Sequence, residues 1–557
     1  MLHQLPLGFG LVAATAIAAV IAGILEVPHA IVLVLLGLAI AFVPGLPPIG
    51  LDPELVLLLF LPPLLYSSGV GLSWRGFKAN LGPILLLAIG CVLFTAATVA
   101  AAAHWLLGIP WSVGFVLGAV VSPPDAVAPM AIAKRLALPS RIIAILEGEG
   151  LVNDATALIL FGFAVAAVTT GSLSTGAAAT SFLAIVAGEL AWGLAVGWAT
   201  LHVRHRAGGP QVEITLALLT PFLAFWPPHA LGGSGVLATV AAGLYVSWNG
   251  PRFIQPATRL QGFFVWNLVV FLIEGLLFLV TGLQARQIIQ GLSGPAWQQY
   301  LAAGLIISLV VILVRFVWVF PATYLPRHLA PSWFRRHPRP EWQSTFVISF
   351  TGVRGVVSLA AALSIPVAVA DRPFPERDLI LFATFVVILV TLIGQGLSLP
   401  WVVRRLGLAA QGKREAVEAK RRELAARVEG VDAALARLDH LERRGAPAIL
   451  VKTLRRRHVD RRTHLAATAD DAFPGSPAAD EAMLQLELIE AERAHIARLY
   501  AKAEIDDDAR RRIERELDLE DARVHHAAES AGGLSDEEQC LAMRNAGDPA
   551  RAFPEGA

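Results

Sequence analysis

Three side chains with oxygen ligands stand inside long apolar stretches of this chain. Asp125 lies in SPPDAVAP, from Ser122 to Pro129; Asn153 and Asp154 lie in LEGEGLVNDAT, from Leu146 to Thr156, which also holds Glu147 and Glu149. A charged side chain at bilayer depth costs roughly 2.5–3.5 kcal/mol on insertion scales, so its presence points to a function. Hard monovalent cations exchange their hydration shell for carboxylate, carbonyl and hydroxyl oxygens. A single carboxylate that takes either a proton or a cation makes the two compete. Competition combined with alternating access is sufficient for exchange. Such a group must titrate near the working pH, and burial moves carboxyls in that direction.

Helix geometry separates the roles of these residues. Gly150 and Asp154, four apart, share one face, and Glu149 and Asn153 share the neighbouring face about 100° away. Asp125 follows the Pro123-Pro124 break, where it can meet Asp154. The competing reading of each carboxylate is a buried structural ion pair. Glu147, one turn nearer the helix start, reads as an interfacial charge. Two arginines also lie deep, Arg315 in LVVILVRFVWVF and Arg354 in TGVRGVVSLA. Each needs a partner at that depth. Because arginine stays protonated, structural pairing suits them better than proton transfer. Glu274, in FLIEGLLFLVTGLQ, suits a structural or gating role; Glu189 receives no assignment.

The elements that position these residues follow from composition. Of the 557 residues 55% are hydrophobic, which fits a polytopic membrane protein. Residues 1–405 carry 20 Lys+Arg and 14 Asp+Glu, whereas residues 406–557 carry 25 and 30, and all 13 Trp lie at or before Trp401. The chain therefore divides into a membrane domain, 1–408, and a charged helical tail, 409–557. Thirteen apolar runs near 9–26, 28–46, 52–70, 80–106, 111–132, 140–169, 179–202, 211–227, 233–249, 260–284, 299–325, 342–370 and 377–402 approach the span length of about 20 residues. Alternate loops hold Arg75, Lys78, Lys134, Arg135, Arg141, Arg204, Arg206, Arg252, Arg259, Arg327, Arg335, Arg336 and Arg339; the intervening loops hold only Arg286, Arg372 and Arg377. The positive-inside rule then places the N-terminus outside and the tail in the cytoplasm. The first run lacks a basic flank and reads as a retained helix rather than a signal peptide.

Spans five and twelve are interrupted, one at Pro123 and Pro124, the other by Gly352 and Gly355 around Arg354. They lie seven spans apart and so run in opposite directions. This pattern predicts two inverted six-helix repeats (spans 1–6 and 8–13) with broken helices meeting near the midplane. Residues 410–440 and 479–530 have helical spacing of Ala, Leu, Glu and Arg, with breaks near 445–447 and 474–477, and predict three or four amphipathic helices. Cys91 and Cys540 form neither a disulfide framework nor a metal site.

SPPDAVAP, LEGEGLVNDA, GVRGVVSLA and LIGQGLSLPWVVRRLGL together resemble the monovalent cation/proton antiporters of the NhaP and NHE type, over residues 9–407. The resemblance implies an all-α membrane protein of thirteen spans with crossed broken helices in spans five and twelve, forming a homodimer in the cell membrane. It implies exchange of Na+ (or Li+, sometimes K+) for H+, with no cofactor. Asp154 matches the shared cation and proton site, and Asn153 the asparagine beside it, which resembles the electroneutral branch. Asp125 matches the aspartate of the broken fifth span, a second Na+ ligand. Glu149 and Arg315 match an ion pair between spans six and eleven, and Arg354 the arginine of the broken twelfth. Three positions depart from the pattern: Gly150 replaces a serine, Pro124 a threonine, and Ser67 stands near a frequent glutamate. These bear on coordination geometry and on the choice between Na+ and K+.

Other classes fit less well. A channel needs rings of ligands along a continuous pore, and this chain has one asymmetric cluster. A membrane sensor signalling through the tail is the alternative from a different class. No nucleophile–base set marks an enzyme. Topology accounts for the basic residues of the membrane domain, so none indicates nucleic acid.

Overall fold

The computed structural model describes residues 5–44, 53–170, 175–290, 297–329, 340–369, 372–470, 477–502 and 504–531. Arg335, Arg336, Arg339, Cys540 and, of the break expected near 474–477, all but Pro477 lie outside the described residues. Two compact units appear, Met1–Lys413 and Arg414–Ala557.

The first unit is nearly all helix. In chain order its main helices are α1 (Leu5–Leu25), α2 (His29–Ala41), α3 (residues 53–71), α4 (Leu81–Leu107), α5 (Trp111–Val121), α6 (Val127–Arg135), α7 (Ser140–Thr170), α8 (Thr175–His205), α9 (Pro210–Ala230), α10 (Val236–Phe253), α11 (Pro256–Leu283), α12 (Trp297–Leu329), α13 (Trp342–Phe350), α14 (Val356–Leu363) and α15 (Arg377–Arg405). Among the described residues seven helices are long and apolar enough to cross a membrane; His29–Ala41, Val56–Gly71 and Trp111–Val121 are apolar but shorter. The described strands, Ala368–Val369 and Arg372–Pro373, form one small antiparallel pair before α15.

These helices are apolar on most of their circumference. On α12, Leu305, Leu309, Leu313 and Val317 form an exposed apolar stripe, while Ile307, Val311 and Val314 are buried. That arrangement suits a helix with lipid on one side and protein on the other. Where helices touch, small residues let the backbones approach. Gly37 of α2 meets Gly282 of α11 so closely that a Cβ on Gly37 would stand 3.1 Å from the Gly282 Cα.

Three helices contain a π-helical turn: Val56–Phe60 in α3, Leu86–Cys91 in α4 and Val390–Gln395 in α15. Such turns loosen the carbonyl ladder. Indole N–H groups donate to the carbonyls at two of them, Trp226 to Leu58 (3.0 Å) and Trp318 to Leu86 (3.0 Å). A third indole, Trp192, donates to the Leu223 carbonyl (3.1 Å), which Pro227 four residues on cannot reach with an N–H.

Glu189, buried on α8, accepts from the backbone N–H groups of Ser234 (2.5 Å), Gly235 (2.9 Å) and Leu237 (3.0 Å) and from the Ser234 hydroxyl. It thereby caps the start of α10, where donors are left over and a negative charge is favoured.

The helix that opens the tail, α16 (Leu408–Arg443), starts inside the first unit. Its Leu408 is buried among Met130, Ile132, Leu138 and Ile142, and Gly412 lies against the backbone of Ala137 and Leu138 in the α6–α7 turn. In the second unit follow α17 (Ala448–Asp470), α18 (Pro477–Ala501) and α19 (Asp507–Ala531). There α18 and α19 close a small core of Ile489, Leu517 and Val524, and Arg493 pairs across it with Asp518 (2.8 Å) and Asp521 (2.9 Å).

Candidate cation site

The site is built on two gaps in helical structure. Residues 122–126 separate α5 from α6, and residues 351–355 separate α13 from α14. The tandem prolines at 123 and 124 remove two N–H donors and so interrupt the helical hydrogen-bond ladder, while Ser122 before them keeps helical torsions, φ −75° and ψ −40°. In the second gap, Gly355 is extended, with φ −128° and ψ −160°. The gaps meet: the Asp125 N–H donates to the Val353 carbonyl at 2.7 Å. A Cβ on Gly355 would fall on the Asp125 carboxylate, so only glycine admits this approach.

Each half-helix end at the crossing carries a partial charge, positive at a start and negative at an end. Asp125 answers the positive ends. Its Oδ1 accepts from the Val127 N–H at 2.9 Å, in the first turn of α6, and its Oδ2 lies against Gly355 at the start of α14. Arg354 answers a negative end. Its guanidinium donates to the Val121 carbonyl (Nε, 2.9 Å) and the Ser122 carbonyl (Nη2, 3.3 Å) at the end of α5, and to its own loop at Gly352. Its backbone N–H donates to the Thr391 hydroxyl at 2.9 Å, on the π-helical turn of α15. The partners of Arg354 are thus backbone carbonyls. Thr391 and Ser122 escaped the sequence reading; a lone Thr in the apolar run VILVTLIG was the only available signal for the former.

Helix α7 supplies the other face. Asn153, fully buried, donates from Nδ2 to the Pro124 carbonyl at 2.7 Å and so holds the first gap against α7. Its Oδ1 has no hydrogen-bond partner among the described residues. Asp154 and Asp125 are electrostatic neighbours. Among the described residues, no donor or cationic group bonds the Asp154 carboxylate. Gly150, one turn before Asp154, leaves little room, since a Cβ there would stand 2.9 Å from the Ala126 Cβ. Ser67 is half-buried on α3.

Behind this face, Glu149 and Arg315 form a bidentate pair at 2.6 and 2.7 Å, each side chain only 2% exposed, and Arg315 Nε also donates to the Ile348 carbonyl at 3.1 Å. The pair ties α7 to α12 and to α13, and Arg315 also lies against Gly352 of the second gap. Glu147 meets Lys134 at 3.6 Å, near the end of α6. Glu274 on α11 meets His29 at 3.7 Å and is an electrostatic neighbour of Asp125. No group of three or more His, Cys, Asp or Glu side chains suited to a resident metal occurs among the described residues. Two neighbouring carboxylates offer oxygens of the kind that a monovalent cation or a proton can use.

Residues 10–405 match the family model described as sodium/hydrogen exchanger, transmembrane. An uncharacterized Na(+)/H(+) exchanger of Mycobacterium tuberculosis is 35% identical over 538 residues, covering 94% of this chain and 97% of that one. A sodium, potassium, lithium and rubidium/H(+) antiporter of Bacillus pumilus is 36% identical over 390 residues, 67% of this chain and 57% of its own length. Among solved structures, the sodium proton antiporter MjNhaP1 of Methanocaldococcus jannaschii aligns with a TM-score of 0.59 at 20% identity, covering 74% of this chain and 98% of that one, a likeness of fold.

Proposed function

Because the chain belongs to the sodium/hydrogen exchanger family, we propose that it is an electroneutral Na+/H+ antiporter in which Na+ or Li+ competes with H+ for Asp154. The observation that carries this reading is that Asp154 is an electrostatic neighbour of Asp125, which stands at the crossing of two interrupted helices. There Asp154 has no protein counter-charge within bonding distance among the described residues. A deeply placed carboxylate without a partner must be neutralised by something that arrives, and a proton or a cation does so equally.

In this reading α5 with α6 forms one span and α13 with α14 another, giving thirteen spans and two inverted repeats. The N-terminus is outside, the tail is cytoplasmic, and two copies assemble in the cell membrane. Asp125 and Asn153 complete the cation and proton site. Glu149 with Arg315, and Arg354 with the carbonyls of the gaps, hold it in shape. The protein is a transporter that needs no cofactor.

A broader cation range has its own support. The Bacillus pumilus relative is named for sodium, potassium, lithium and rubidium, and Gly150 offers no side-chain oxygen.

The test is proton flux in proteoliposomes with a preset pH gradient, adding Na+, Li+ and K+ in turn. Asp154→Asn is expected to abolish the flux. Retained exchange in a folded Asp154→Asn protein would overturn the site assignment. Dissipation by K+ as readily as by Na+ would select the broader range.

A further inference from the structure

Buried hydroxyls elsewhere in the membrane domain bond back to the carbonyl four residues earlier: Ser308 to Gly304 (2.7 Å), Thr281 to Leu277 (2.7 Å) and Ser349 to Thr345 (2.8 Å). Ser358 does not. It is 2% exposed, and its Oγ is buried with no hydrogen-bond partner among the described residues. Its place in the chain explains this. Ser358 is the third residue of α14, so four residues back lies Arg354, in the second gap, and three back lies the extended Gly355. No preceding helical turn aims a carbonyl at the hydroxyl. A buried polar group without a partner is costly, and an arriving group that pairs with it removes that cost.

The neighbours of Ser358 on α14 show which way it faces. Gly355, three residues earlier, is where the Asp125 carboxylate lies. Ala361 and Ala362, three and four residues later, share its side of the helix. Both pack in the cluster that holds Val120 and Val121 at the end of α5. Val357, the residue before it, packs against the cluster that holds Leu151 and Ala155 of α7. Leu158, one turn after Asp154 on α7, packs against both clusters. Ser358 therefore stands between the Gly355–Asp125 approach and the part of α7 that carries Asp154. A second oxygen without a partner among the described residues, Asn153 Oδ1, belongs to that part of α7.

Resting on the antiport reading, we propose that the Ser358 hydroxyl is a neutral oxygen ligand of the transported cation, on the α14 side of the site. A hard cation that sheds its water needs several oxygens, and Gly150 supplies no side-chain oxygen from α7. The hydroxyl presents its lone pairs to a cation with its hydrogen turned away, and it rotates when the cation leaves. Being neutral, it strengthens cation binding without adding to the charge for which proton and cation compete. Li+ and Na+, whose ligands approach closely, gain more from a further oxygen than K+ does. The second gap thereby contributes a ligand as well as a joint.

The experiment measures proton flux of the full-length protein in proteoliposomes against rising Li+, Na+, K+ and Tl+, the last a soft monovalent cation. Ser358→Ala is expected to raise the Li+ and Na+ KM about five- to tenfold and the K+ KM by less, with kcat within about twofold. Ser358→Cys keeps the size of the side chain and replaces a hard oxygen by sulfur. It is expected to weaken Na+ as Ser358→Ala does and to lower the Tl+ KM at least about fivefold relative to Ser358→Ala, because sulfur prefers soft cations. Unmoved Li+ and Na+ KM values in Ser358→Ala overturn the proposal, even where thermal unfolding shows a loss of stability, since the hydroxyl is then structural. A Ser358→Cys protein that treats Tl+ no better than Ser358→Ala does overturns it as well. Should Ser358→Ala not fold, Ser358→Cys decides alone: its Na+ KM must rise and its Tl+ KM fall relative to the wild type. Absence of cation-dependent flux in the wild-type protein sinks the antiport reading itself; normal wild-type flux with unmoved KM values in the variants sinks only this inference.

Discussion

Removing one or both charges of the Glu149–Arg315 pair tests whether it is scaffold. Glu149→Gln alone leaves a guanidinium at 2% exposure with only neutral acceptors, and Arg315→Met alone leaves a bare carboxylate equally buried. Breaking a buried pair from one side costs about 3–5 kcal/mol, because the remaining charge is desolvated without compensation. The double variant removes both charges together. What it still loses is the donor to the Ile348 carbonyl, about 1–3 kcal/mol. The double variant should therefore be more stable than either single one, with a coupling energy of at least about 2 kcal/mol. Thermal unfolding of the purified proteins in one detergent gives the ranking, and flux in proteoliposomes gives the function. The double variant should retain cation-dependent exchange. Destabilisation equal to the sum of the single variants would refute the pairing energetics. A folded but inactive double variant would refute the scaffold role and move the pair into the transport cycle.

Gly355→Ala places a methyl on the Asp125 carboxylate and should abolish exchange in flux assays while the protein still reaches the membrane. Glu189→Ala uncaps α10 and strands several buried donors; thermal unfolding should register a loss of at least about 2 kcal/mol. Deleting residues 414–557, which leaves the Leu408 and Gly412 contacts with the α6–α7 turn in place, should preserve cation-dependent flux; complete loss of flux in a folded, membrane-inserted protein would favour the sensor reading.

The parts of the fold that could be read from the sequence are those whose cause is local. Pro123-Pro124 and the glycines around Arg354 weaken a helix locally, which made both breaks readable, although Pro62-Pro63 and Pro227-Pro228 lie inside helices. The deep charges were readable because so few residues of that kind occur in apolar runs. The π-helical turns left no mark, since Leu86–Cys91 and Val390–Gln395 are ordinary apolar sequence and the indoles that reach the freed carbonyls come from distant helices. The Glu189 cap joins residues 45 to 48 apart, and only tertiary contact reveals it. Arg354 needed a counter-charge in the sequence reading, and its acceptors turned out to be peptide carbonyls, which any residue supplies. His29 gave no signal because its partner is some 245 residues away and a histidine near a helix start has many ordinary uses.

The hydrogen bond from the Asp125 peptide to the Val353 peptide joins main chain to main chain, so no side-chain atom takes part in it, although the approach it spans requires glycine at 355. Substitutions of the Asp125 side chain leave the donor in place, with proline at 125 the one replacement that deletes it. Side-chain oxygens near the two gaps can therefore be exchanged without removing the bond that holds the gaps together. The joint and the side-chain chemistry around it are thus separable by mutation.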